Sequence, residues 1–159
     1  MMKRIAFAVA VLAFAAPSFA QSDRGEAKAT VAGKAVSIDY GRPSLKGRDM
    51  LGQAQVGQAW RMGANAATTL KTDADLTFGA ANVAKGEYVL TATKVDAQQW
   101  QLNVLSAADR SKVADVPLAT EKAAQPAEQF TIDLTGSGNK GDLKLTWGTT
   151  VMRTSFTAK

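Results

Sequence analysis

Apolar residues recur at every second position in short runs along most of this chain, a spacing that buries one face of a β-strand and cannot line one face of a helix. Val36, Ile38 and Tyr40 alternate with Ser37 and Asp39; Tyr88, Leu90 and Ala92 with Val89, Thr91 and Thr93; Trp100, Leu102 and Val104 with Gln101 and Asn103. Phe130, Ile132 and Leu134, then Leu143, Leu145 and Trp147, repeat the pattern. The helical period never holds for long. Ala29 and Val31 begin a first strand, and Gly33-Lys34 offers a tight turn into the second. Thr68 to Lys71, Leu76 to Phe78 and Val151 to Thr157 read as further strands. The pattern predicts an all-β chain of about eight or nine short strands: an antiparallel β-sandwich, jelly-roll-like or a related barrel, with one long ordered loop. Trp100, Trp147, Phe130 and Tyr88 fall on the apolar sides and belong to the core. Ser106 to Gln129, rich in Ala, Lys, Asp and Glu and interrupted by Pro117 and Pro126, is expected to be an irregular connection with a short strand near Val116.

The first twenty residues have the form of a secretion signal: Lys3 and Arg4, apolar Ile5 to Ala16, then Ser18 and Ala20 before an expected cut after Ala20. The apolar run is too short to span a bilayer, and polar Gln21 to Arg24 follows it. Residues 1–20 are thus expected to be removed, and 21–159 to form one domain in the periplasm or outside the cell, with no transmembrane segment. Cysteine and histidine are both absent. Their absence removes Ser-His-Asp and Cys-His nucleophile systems, thiol redox chemistry, disulfides and the usual zinc, haem and copper sites. No catalytic residue, cofactor or metal is assigned.

Charge is concentrated in one place. Without Lys3 and Arg4 the 19 basic residues become 17 against 14 acidic, a net charge of +3. Residues 40–65, YGRPSLKGRDMLGQAQVGQAWRMGAN, hold Arg42, Lys46, Arg48 and Arg61 against Asp49 alone, so that stretch carries the whole excess. A local excess beside a neutral remainder argues against nucleic-acid binding and for an anionic partner or an internal ion-pair cluster. Glycines at 41, 47, 52, 57 and 63 and Pro43 break any alternation there, so the stretch reads as a long ordered loop with a helical turn near Gln53 to Trp60. Arg42, Lys46 and Arg48 curve around Pro43 and Gly47, and arginine forks suit carboxylate or phosphate. These three are the candidate ligand contacts, Arg61 joining them or fixing the loop, with Tyr40, Trp60, Asn65 and Thr68 supporting it. The competing reading pairs the same cations with Asp39, Asp49 or Glu87.

Gly136-Ser137-Gly138-Asn139-Lys140-Gly141 has the glycine spacing of a dinucleotide fingerprint, but a strand follows it rather than a helix, so it is a hairpin turn. Asp73 and Asp75 lack the further ligands a calcium loop needs and read as a solvated turn.

At Tyr40-Gly41-Arg42-Pro43-Ser44, Lys46-Gly47-Arg48, Gly52, Trp60-Arg61-x-Gly63-Ala64-Asn65, Thr68, Gly86-x-Tyr88, Trp100 and Leu143-x-Leu145-x-Trp147, the chain resembles the bacterial domain of unknown function 2911 family. The resemblance covers nearly the whole chain after the signal and implies an exported β-type domain with no assigned activity. The family pattern often places glutamate after Gly-Ala-Asn, where this chain has Ala66, which lowers the expectation of catalysis. The leading reading is a non-enzymatic periplasmic domain that binds a small anionic or polyanionic ligand through loop 40–65. The alternatives are a structural or protein-interaction module of the cell envelope with an acidic partner, and, less favoured, a hydrolase using carboxylates or a Ser44/Lys46 pair.

Overall fold

A computed structural model describes residues 23–159, so the expected signal segment and its cut lie outside the described residues. Ten strands follow in chain order: β1 (Asp23–Val31), β2 (Lys34–Arg42), β3 (Ala59–Trp60), β4 (Thr68–Thr72), β5 (Leu76–Phe78), β6 (Ala81–Val83), β7 (Gly86–Lys94), β8 (Trp100–Ser106), β9 (Lys112–Ser137) and β10 (Lys140–Ala158). No helix occurs among the described residues, as the period-two pattern predicts. The strands form one large antiparallel sheet in the order β1-β2-β4-β7-β8-β9-β10-β5-β6, with β3 paired to β7, and the sheet does not close into a barrel.

Alternation places the core. In β2, Val36, Ile38 and Tyr40 are buried, in β8 Trp100, Leu102 and Val104, and in β10 Leu143, Leu145 and Trp147. The sheet bends enough to bring β1 against the far part of β9. There the Ala32 N–H donates to the Gly138 carbonyl at 2.7 Å, and a side chain on Gly136 would meet the Thr30 carbonyl oxygen at 2.3 Å. The β1–β2 turn falls at Ala32-Gly33, one residue earlier than expected, both residues taking positive φ (52° and 71°) as a two-residue hairpin turn requires. Gly138-Asn139 is the β9–β10 hairpin turn, and no phosphate-binding helix follows. Asp75 serves a turn, its carboxylate accepting the Lys85 N–H at 2.8 Å.

One expectation is corrected outright. Ser106 to Gln129 is not an irregular connection: from Lys112 it is strand, part of a β9 that runs 26 residues. Ala114, Val116 and Leu118 point inward and pair along β8, and from Ala119 onward the same strand pairs with β10. Pro117 stands at the changeover between partners, and Pro126 lies where the register with β10 shifts around Gly148. Proline is tolerated where a ladder ends or bulges, because no N–H is required of it there. Between Ala119 and Ala127, β10 is the only strand partner of β9 among the described residues, leaving one edge of that stretch unpaired. The predicted strands at Leu143–Trp147 and Val151–Thr157 likewise merge into the single strand β10 of 19 residues.

Tyr88 on β7 gives the fold a testable alkaline limit. Its side chain is buried, and its O–H donates to the Ala84 carbonyl at 2.6 Å. Burial, and secondly the nearby Asp75 carboxylate, raise its pKa above the ordinary 10.0. The folded protein therefore holds this proton more tightly than the unfolded chain. The stabilisation is complete below the ordinary pKa and is lost as pH rises through the folded-state value. Urea midpoints measured across the alkaline range should fall from pH 10 upward more steeply in the natural protein than in Tyr88→Phe.

Candidate functional site

The connection from β2 to β4 is a strap fastened across one end of the sheet. A segment this long carries many backbone donors and acceptors, and each must find a partner or remain in water. The strap's first part is bonded to β9: the Phe130 N–H donates to the Pro43 carbonyl (2.9 Å) and the Leu45 N–H to the Glu128 carbonyl (3.0 Å). The Glu128 carboxylate also accepts the Lys46 N–H at 2.9 Å. Tyr40, at the root of the strap, is buried, and its hydroxyl accepts the Ile132 N–H at 2.9 Å. The middle is held from the other side, where Lys94 Nζ donates to the carbonyls of Gly52 and Ala54, both at 3.4 Å, and the Gly57 N–H to the Lys94 carbonyl at 2.9 Å. The helical turn expected near Gln53 to Trp60 is absent. Separate turns replace it, and Ala59–Trp60 pairs with β7 instead.

Trp60 anchors the strap in an aromatic cluster. Its ring stacks on Trp147 (5.7 Å between centroids, 16° between planes) and meets Phe130 (4.9 Å, 70°) and Trp100 (6.0 Å, 73°) edge to face. The chain then turns sharply, with Met62 (φ 56°) and Asn65 (φ 64°) left-handed. Buried Thr68 holds this turn by donating its hydroxyl to the Met62 carbonyl at 2.6 Å. Here the two sequence blocks that carry the family resemblance meet. A β-carbon on Gly41 would lie 2.1 Å from the Ala64 carbonyl oxygen, and one on Gly63 would lie 2.8 Å from the Gly41 carbonyl oxygen. Two backbones cross at a separation only glycine permits.

The four cations take separate positions along this strap. Arg42 is half-buried, its Nε directed at the Phe130 carbonyl (3.5 Å) and Nη2 at the Thr131 hydroxyl (3.4 Å). Arg48 donates to the Leu45 carbonyl at 3.3 Å, and Arg61 to the Asn65 carbonyl at 3.2 Å. Lys46, Arg48 and Arg61 are exposed. Among the described residues none of the four side-chain charges forms an ion pair with a carboxylate within 4.0 Å. Two of the three acids considered as their partners act elsewhere: Asp39 pairs with Arg24, and Asp49 accepts the Gly52 N–H at 3.0 Å, while Glu87 forms no ion pair among the described residues. Nor is Ser44 hydrogen-bonded to the Lys46 ammonium among the described residues; it forms a backbone bridge to Gln129.

The four cations also line none of the five principal concavities among the described residues. The largest, an open groove of about 970 Å³, runs between the strap at Leu51-Gly52, the β7–β8 turn, β9 and β10. Its charged walls are Lys94, Lys122 and the Glu121–Arg153 ion pair (2.6 Å), none of which the charge pattern singled out. They belong to β7, β9 and β10, so the fold rather than the sequence brings them together. A second cavity, of about 390 Å³, lies under the strap against Trp60 and Trp147.

Fold and site together define an all-β domain built on one bent antiparallel sheet, with a cation-bearing strap locked over its end. The chain belongs to the family described as "Protein of unknown function (DUF2911)", whose model matches residues 22–156. No curated protein and no solved structure matches it.

The crossing at Gly41 can be tested directly. Gly41→Ala drives a methyl group into backbone that has no room to yield, and should cost about 3 kcal/mol of unfolding free energy by urea denaturation. Gly47→Ala, at φ 78° with open space around it, should cost only about 1 kcal/mol.

Proposed function

We propose that this is an exported, non-enzymatic domain that docks on a polyanion of the cell envelope through the outer face of its strap. The observation that carries this reading is the exposure of Lys46, Arg48 and Arg61 without a carboxylate partner among the described residues. Like charges left unanswered on a pinned segment create a positive field that is strongest for a partner bearing many negative groups. The absence of these cations from the described concavities favours an extended polymer lying across the surface over a small anion enclosed in a pocket. Arg42 stands at the root of the strap, half-buried, where it would orient the chain more than grip the partner.

A second reading, in which the cations only hold the strap, is favoured by the bonds from Arg42, Arg48 and Arg61 to backbone carbonyls. One pair of substitutions separates the two. Lys46→Ala with Arg48→Ala should leave the melting temperature essentially unchanged, as surface changes usually do within about 0.5 kcal/mol. The same variant should elute from a phosphocellulose matrix at lower salt, with binding weakened by about 2 kcal/mol at low ionic strength, roughly 1 kcal/mol per cation. Equal retention of the variant and the natural protein would defeat the docking reading. A lowered melting temperature with unchanged retention would establish the structural one.

A further inference from the structure

The underside of the strap is chemically unlike its outer face. The cavity of about 390 Å³ beneath residues 50–60 is lined by Gln53, Gln55, Gln58, Trp60, Trp147 and Met50 together with Leu51 and two alanines, and by no charged residue. Its size falls within the range of small-molecule sites, about 300–1,000 Å³. Trp147 is buried and its indole N–H is already used, donating to the Glu128 carbonyl at 3.2 Å. Trp60 differs: it is only half-buried, and its indole N–H has no acceptor among the described residues. No side-chain polar atom among them is both buried and unpartnered, so that N–H remains open to a guest. The three glutamine side chains are exposed as well, and each amide offers both donors and an acceptor.

We propose that this cavity binds a neutral ring sugar of about one or two units, a size set by the usual range of such cavities. A charged guest would lose water with no ion to answer it. A purely apolar guest would leave three amides and an indole N–H facing carbon. Hydroxyl groups are donors and acceptors at once and match the amides, while the C–H face of a pyranose ring can lie against indole. A planar heteroaromatic fits less well. Its ring atoms offer fewer donors and acceptors than a sugar's hydroxyl groups, so most of the three amides would stay unmatched. The strap is held at Gly52, Ala54 and Gly57 by Lys94, so the amides are presented on a fixed backbone rather than recruited at a cost in order.

The test follows tryptophan fluorescence of the purified protein during titration with glucose, galactose, mannose, N-acetylglucosamine and their β-linked disaccharides. Uncharged planar heteroaromatics form a parallel arm. The expected result is a saturable change with at least one sugar, insensitive to salt, and weakened by about tenfold or more, about 1.4 kcal/mol, in Gln53→Ala with Gln58→Ala. Those side chains are exposed, so the variant should keep its fold, which its melting temperature will show. Trp60→Phe should abolish the signal and the binding together. Absence of a saturable response across the sugar panel, a response confined to the heteroaromatics, or sugar binding that the glutamine variant leaves intact would each overturn the proposal. Because the response is independent of ionic strength, its failure is distinct from a failure of polyanion docking.

Discussion

The edge of β9 at Glu128 to Ile132 holds the rest of the end together. It bonds Pro43 and Leu45 through backbone, Lys46 through the Glu128 carboxylate and Tyr40 through the Ile132 N–H. A connection as long as that between β2 and β4 cannot be ordered by its own glycines, which only widen the choice of conformations to be lost on folding. Order has to come from partners outside the segment. Thr131 and Ile132 stay paired with β10 on one side while the Glu128 carbonyl and the Phe130 and Ile132 N–H groups bond the strap and its root on the other.

How much of this was legible depended on whether the responsible interaction was local. Alternation at Val36-Ile38-Tyr40 or Trp100-Leu102-Val104 reports directly on which face is buried, because the side-chain period of a strand is fixed by its backbone. The all-β class and the aromatic core followed from it. Ser106 to Gln129 misled because Pro117 and Pro126 look like breakers unless one knows that the first marks a change of partner and the second a bulge. The alternation of Ala114, Val116 and Leu118 was present and too weak in hydrophobic character to override them. The loop's surplus charge was equally visible, but the destinations of its side chains were not, since the acids nearest in sequence are engaged elsewhere. Nothing in the spacing of Trp60, Trp100, Phe130 and Trp147 announces that they converge on one cluster.

The strap has two faces of opposite character. One carries cations separated by glycine and proline; the other borders the cavity with neutral, exposed amides, Met50 and Trp60. This division follows from its anchoring. Trp60 must point into the sheet to join its aromatic partners, and the crossing of Gly41 with Gly63-Ala64 fixes where the strap returns. The charged residues near either end are then left on the water side, where ionised groups avoid the desolvation that burial would impose.

The run of β9 from Ala119 to Ala127 has β10 on one side and, among the described residues, no strand on the other. An exposed row of amides of that length is a template on which a foreign strand can crystallise, the first step towards fibrils in a crowded compartment. Glu121 and Lys122 place ionised groups on that row, and Pro126 withholds an amide near its end. The residues that disguise this segment as a loop are the ones that keep molecules of the protein from zipping onto each other.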